Sequence, residues 1–114
     1  SYTAPVKLGT NEVAFAGNWT VMEEYANPQA GAKLYLNFDA KEVFLVMRPK
    51  VDSSQVKVYL DDRMENFGAD VKEGTVSVTS DRLYKLVTLP VPGRHTLRLE
   101  FVDGNLELYA FTFG

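Results

Sequence analysis

Ala32-Lys33-Leu34-Tyr35-Leu36-Asn37-Phe38-Asp39, followed after Ala40-Lys41-Glu42 by Val43-Phe44-Leu45-Val46-Met47, is the stretch that decides the fold. Its first half alternates apolar and polar residues strictly, as a strand with one buried face requires. The second half is apolar at every position, the pattern of a strand covered on both faces, and Arg48-Pro49 closes it. The two read as a hairpin turning at residues 40–42, near the centre of a β domain.

Working outward, Val13 and Phe15 begin a short strand stopped by Gly17-Asn18. Trp19, Val21 and Glu23 alternate with Thr20, Met22 and Glu24 in a second strand, and Ala26 to Gly31 reads as loop. Downstream, Val56, Val58 and Leu60 point inward against Lys57 and Tyr59. Met64 to Val71 is the longest irregular stretch, with Gly68 a tight position. Thr75 to Val78 is rich in β-branched residues and reads as a strand.

Leu83 to Leu89 is ambiguous, because Leu83, Leu86 and Val87 also fit a helical face with Asp81 as N-cap. Seven residues before Pro90 favour a strand. Pro92-Gly93 reads as a turn, His95 to Val102 as a clear strand, and Asp103-Gly104-Asn105 as a hairpin signal before the last strand. About nine short strands with turn chemistry roughly every eight to twelve residues predict an all-β antiparallel sandwich. A jelly roll is the first choice and an immunoglobulin-like sandwich the second. Residues 1–10 read as an incoming linker or edge segment and 11–114 as one sandwich domain.

A chain of 114 residues withdraws roughly two thirds of its unfolded surface from water, enough for one core. There is no cysteine, which removes thiol chemistry, CxxC redox sites and zinc-thiolate sites from this segment. A net charge of −3 without a basic cluster argues against nucleic acid or an anionic membrane surface. No apolar run is long enough to insert in a bilayer. The start at Ser1, without Met or a signal pattern, is expected of a piece of a longer or processed protein.

His95 is the only histidine, so any Ser/His/Asp set would have to include it; beside a turn glycine it reads as a polar strand start. With one His and no Cys, neither a metal nor another cofactor is expected. Of the carboxylate pairs, Glu23-Glu24 would point to opposite faces of a strand and Asp61-Asp62 reads as a turn. A hydrolase would need two carboxyls about 5–10 Å apart in a cleft. Asn18-Trp19-Thr20 matches a glycosylation acceptor, but it stands at a strand start beside a Trp that suits the core.

Sugar rings present apolar C–H faces that stack on exposed aromatics, with polar groups nearby to bind the hydroxyls. Tyr35 and Tyr59 fall on the outward phase of their strands, where they suit either such a platform or cross-strand packing. Arg48, Asp70 and Arg82 are candidates to converge with Tyr84 around a pocket. These six are the candidate ligand-binding residues.

The run Gly17-Asn18-Trp19-Thr20-Val21, then Glu24-Tyr25-Ala26, Val43 to Met47, Leu60-Asp61, Gly68-Ala69-Asp70-Val71, Arg82-Leu83-Tyr84 and the closing Tyr109-Ala110-Phe111-Thr112-Phe113-Gly114 resembles the C-terminal module of DipZ-type proteins. The resemblance covers nearly the whole chain, although Val13 stands where many members carry an aromatic. It implies a galactose-binding or carbohydrate-binding-module-like sandwich following a thioredoxin-like domain of the same polypeptide. In some members a membrane-embedded CcdA-like domain comes first. The implied parent is an extracytoplasmic thiol–disulfide oxidoreductase whose cysteines precede Ser1. This segment would then be a non-catalytic accessory module binding a glycan or client protein; a free-standing carbohydrate-binding module is the alternative.

Overall fold

The computed structural model describes residues 12–21, 25–50, 54–63 and 65–114. The expected linker at 1–10 and the pair Glu23-Glu24 lie outside them. Eight strands and no helix are found among the described residues: β1 (Glu12–Ala16), β2 (Trp19–Val21), β3 (Ala26–Pro28), β4 (Lys33–Pro49), β5 (Ser54–Leu60), β6 (Thr75–Val78), β7 (Arg82–Phe101) and β8 (Leu106–Phe113). They form one antiparallel hydrogen-bonded array in the order β2-β3-β8-β4-β7-β5-β6, with β1 on the free edge of the first half of β4.

The array folds over on itself. Three strands separate β2 from β7 in the order, yet the Trp19 ring meets Phe101 edge-on with centroids 5.2 Å apart. One layer holds β1, the first half of β4, the second half of β7, β5 and β6. The other holds β2, β3, β8, the second half of β4 and the first half of β7. A single apolar cluster fills the space between them and includes Trp19, as its sequence position suggested.

The expected hairpin at residues 40–42 is replaced by one continuous 17-residue strand. Buried positions on β4 run Leu34, Leu36, Phe38, Ala40 and then Val43, Leu45, Met47, so the inward phase slips by one residue. A bulge does this by inserting one extra residue and bending the strand. Opposite it, the ladder jumps from Gly93 to Thr88, so that residues 89–92 of β7 face the lone Lys41. Pro90 and Pro92 have no N–H to give a ladder. The amides of Lys41 and Glu42 instead donate to the carbonyl of Gly114, at 3.0 and 3.2 Å. The polar triplet at 40–42 therefore bends a strand rather than ending it, and Pro92-Gly93 likewise lies inside β7.

Other expectations change for related reasons. Val43 to Met47 is covered fully on one face only; Phe44 and Val46 are half-buried on the other. The helix-like spacing of Leu83, Leu86 and Val87 is the footprint of a second bulge: Val43 opposes Val87 and Phe44 opposes Lys85, leaving Leu86 as the extra residue. Ala26–Pro28 is a strand and not loop, pairing with both β2 and β8. Asp103-Gly104-Asn105 makes no hairpin, because β7 and β8 do not pair. It carries the chain from one layer to the other, with Gly104 at φ +71° and no room for a Cβ against the Pro28 carbonyl. Turn residues fix a tight reversal, but the partner of the next strand is chosen by packing.

The inner rows of the first layer run across three strands, Leu34–Leu99–Val58 and Leu36–Leu97–Leu60. Each such side chain contributes about 1.5–3 kcal/mol on leaving water. Leu99 stands in the middle of its row, fully buried. Leu99→Ala is expected to cost about 2–5 kcal/mol, read as a lower urea midpoint with an unchanged m-value.

Candidate functional site

A depression with aromatic lining lies on the outer face of the second layer, and a core residue positions it. Tyr84 is fully buried where β7 begins, and its hydroxyl reaches the turn before the strand. It accepts from the amides of Thr79 and Ser80, both at 3.2 Å, and donates to the Ser80 carbonyl at 2.7 Å. The turn is thereby fixed, and with it the next two side chains, Asp81 and Arg82.

Arg82 is fixed a second time from the irregular stretch. Gly68 approaches β7 so closely that an added Cβ would sit 2.4 Å from the Lys85 carbonyl oxygen, and its amide donates to the Leu86 carbonyl. Two residues on, the carboxylate of Asp70 accepts from the Lys85 amide at 2.7 Å and from Arg82 Nη2 at 2.8 Å. The guanidinium also lies 3.9 Å over the Tyr84 ring. The hydrogen bond from Arg82, reinforced by its charge, holds the Asp70 carboxyl below its ordinary pKa and the Arg82 pKa correspondingly above its own.

A groove of about 320 Å³ is lined by Val46, Met47, Arg48, Asp81, Arg82, Leu83 and Tyr109. Val46 and Leu83 stand directly opposite each other on neighbouring strands and make an apolar floor; Leu83 remains 42 % exposed. Tyr109 forms one wall, with the Tyr25 ring 5.7 Å away. Along the rim, Asp81 lies 3.4 Å from Arg48, and Tyr109 donates to Glu107 at 2.7 Å. A hydrogen bond to Tyr109, then the charge of Asp81, raises the Arg48 pKa, while the bond to Glu107 raises that of Tyr109. At neutral pH the groove thus offers a cationic donor, an anionic acceptor and a neutral phenol above an apolar floor.

Beyond Arg82 lies a second pocket of about 340 Å³, lined by Ala69, Asp70, Lys72, Thr75, Ser77 and Arg82. Arg82 is the wall common to both. Of the six sequence candidates, Arg48, Asp70 and Arg82 line these two depressions, while Tyr84 is their support in the core. Tyr35 and Tyr59 lie on the other layer, on either side of Arg98 in register. Arg98 stacks 4.3 Å over Tyr59, pairs with Asp62 at 2.5 Å and lies 3.1 Å from Glu100 on its own strand, so Tyr59 is covered by a neighbouring side chain. Asp81, Leu83 and Tyr109 escaped sequence reasoning. For Tyr109 the signal was present in its alternation with Leu108, but nothing local showed that Arg48 would be its neighbour.

The sequence-adjacent pair Asp61-Asp62 and the histidine are tied into one turn. His95 Nδ1 meets Asp61 Oδ2 at 2.5 Å, and the Thr96 amide donates to the other carboxylate oxygen. Asp61 and Asp62 have φ of +51° and +62° and form the two-residue turn that closes Leu60 on Arg63. Among the described residues no group of three or more His, Cys, Asp or Glu is placed to hold a metal.

A carboxylate with a depressed pKa contributes stability above its ordinary range and loses it as pH falls through the lowered value. Asp70→Ala is therefore expected to cost about 1–2 kcal/mol near pH 7, and the difference from wild type should shrink below about pH 4. Urea melts at both pH values check this; a constant difference would mean that the charge is not what holds Arg82.

Solved structures that share the fold include two carbohydrate esterases and a glycoside hydrolase. A family two carbohydrate esterase from Clostridium thermocellum, in complex with cellohexaose, matches with a TM-score of 0.73 at 17 % identity over 90 % of this chain and 31 % of its own. The family two carbohydrate esterase from Cellvibrio japonicus matches at 0.69 and 14 % identity, over 90 % of this chain and 30 % of its own. A glycoside hydrolase family 43 arabinoxylan arabinofuranohydrolase from Bacillus subtilis, in complex with cellotetraose, matches at 0.51 and 19 % identity, over 78 % and 20 %. The chain thus spans about a third of the esterases, and at such identities the likeness is one of fold: an antiparallel β-sandwich of the carbohydrate-binding-module type. No match to a curated protein is found. The family model described as "Thioredoxin like C-terminal domain" matches residues 1–114, so the chain belongs to the thioredoxin-like C-terminal domain family.

Proposed function

We propose that this chain is the non-catalytic accessory module of an extracytoplasmic thiol–disulfide oxidoreductase of the DipZ type, and that it holds a saccharide in the groove between Tyr109 and Arg82. The module follows a thioredoxin-like domain on the same polypeptide and leaves electron transfer to it. Family membership and a sequence without cysteine support the accessory part. The groove carries the binding part.

The supporting observation is the combination of Val46, Leu83 and Tyr109 with the polar rim of Arg48, Asp81 and Arg82. An aromatic wall and apolar floor receive the C–H face of a pyranose, and a guanidinium beside a carboxylate provides donors and acceptors for vicinal hydroxyls. The volume lies at the lower end of the range for small-molecule sites, about 300–1,000 Å³, and suits one or two sugar rings. Because every lining residue except Asp81 lies on a strand, the site is largely formed before ligand arrives. The same groove would serve a free-standing carbohydrate-binding module; the two readings differ only in the redox domain.

Calorimetric titration of the chain with cello-oligosaccharides and a wider glycan panel tests the groove. Tyr109→Ala is expected to weaken binding about tenfold, the loss of one aromatic contact, and Tyr109→Phe to retain most of it. Absence of binding to any glycan would remove the saccharide reading. Deleting the module from the full polypeptide should leave disulfide reductase turnover unchanged and abolish retention on the bound glycan.

A further inference from the structure

Arg82 is the one lining residue shared by the two depressions, which lie on either side of it. The two differ in chemistry: the first is apolar and aromatic, whereas the second presents Lys72, Thr75 and Ser77 with Asp70 behind Arg82. Among the residues lining the two depressions, three cations stand against two carboxylates, with Glu107 outside on the rim beside Tyr109. Arg48 is paired with Asp81 and Arg82 with Asp70, while Lys72 has no ion pair among the described residues.

Lys72 is held in place by its backbone. Its amide donates to the Thr75 carbonyl at 2.9 Å and the Thr75 amide returns the bond at 3.0 Å. Between them Glu73 and Gly74 have φ of +52° and +78°, both in the left-handed region, as a type I′ turn requires. Lys72 and Thr75 are thus directly opposed at the start of β6 and both face the pocket. The Ser77 hydroxyl donates to Gln55 at 3.0 Å and keeps its lone pairs for a ligand donor.

Resting on the saccharide reading above, we propose that the two depressions form one two-subsite cleft for an acidic saccharide. A ring stacks on Tyr109, and a neighbouring uronic acid places its carboxylate against Lys72 and the Thr75 hydroxyl. One uncompensated cation matches one carboxylate in a chain whose overall charge of −3 otherwise repels anions. Selection for the acidic ligand is thereby local to the second subsite.

Calorimetry of the chain with a trigalacturonate, its fully methyl-esterified form and cellotriose tests this. The acid is expected to bind about fivefold more tightly than its ester at low salt, with the preference fading towards physiological ionic strength. Lys72→Met should erase the preference for acid over ester, and Tyr109→Ala should weaken both ligands alike. Equal binding of acid and ester, or a preference that survives Lys72→Met, overturns the acidic subsite. If cellotriose binds through Tyr109 and the acid binds no better, the acidic subsite fails while the saccharide reading stands. If none of the three nor any other glycan binds, the saccharide reading itself fails. Circular dichroism melts of each variant establish that a loss of binding is not a loss of fold.

Discussion

The pairing of β4 with β7 is the constraint from which the rest of this structure follows. The two strands are 17 and 20 residues long and are hydrogen-bonded from Lys33–Glu100 at one end to Met47–Arg82 at the other. A straight ribbon of that length would leave one face of a single sheet to water. Instead both strands bend at the same level, where Lys41 opposes residues 89–92. Two prolines there offer the ladder no N–H, and the Gly114 carbonyl accepts from the amides of Lys41 and Glu42. The bend folds one sheet into two layers and lets each long strand contribute to both.

The bend also explains how the candidate site is held. Its floor, Val46 and Leu83, lies on the outer side of the same β4–β7 ladder whose inner side buries Leu45 and Tyr84. Tyr84 passes the rigidity of the core to the surface through its hydroxyl, and Asp70 does the same from the irregular stretch through Arg82. An irregular segment ordinarily moves more than the strands around it. Here the contact of Gly68 with the Lys85 backbone and its bond to Leu86 anchor it to β7. The two pockets on either side of Arg82 are therefore supported by one network.

Stability is achieved without any cysteine, and the substitutes can be named. The layer crossing at residues 102–105 is tied by Asp103, which accepts from buried Ser54 and from the amides of Gln55 and Asn105. Buried Asn27 donates to the Leu106 carbonyl at 2.6 Å. Each of these buried polar groups has a partner, so none costs the desolvation of an unmet hydrogen bond. A sandwich tied together this way needs no disulfide of its own.

The sequence by itself determined the strand content, most of the inward-facing residues and the lack of thiol chemistry. Period-two alternation in Leu34 to Phe38, Val56 to Leu60 and Leu97 to Phe101 is a local property of the chain, set by the pleat. Only the tertiary structure decided that residues 40–42 bend a strand instead of ending it, and that β7 and β8 lie in different layers. It also decided that Arg48 meets Tyr109 while Tyr35 and Tyr59 face away with Arg98. Turns and bulges use the same residue types, and which one forms depends on the partner strand that the backbone groups find. That partner comes from another part of the chain, so no local pattern records it.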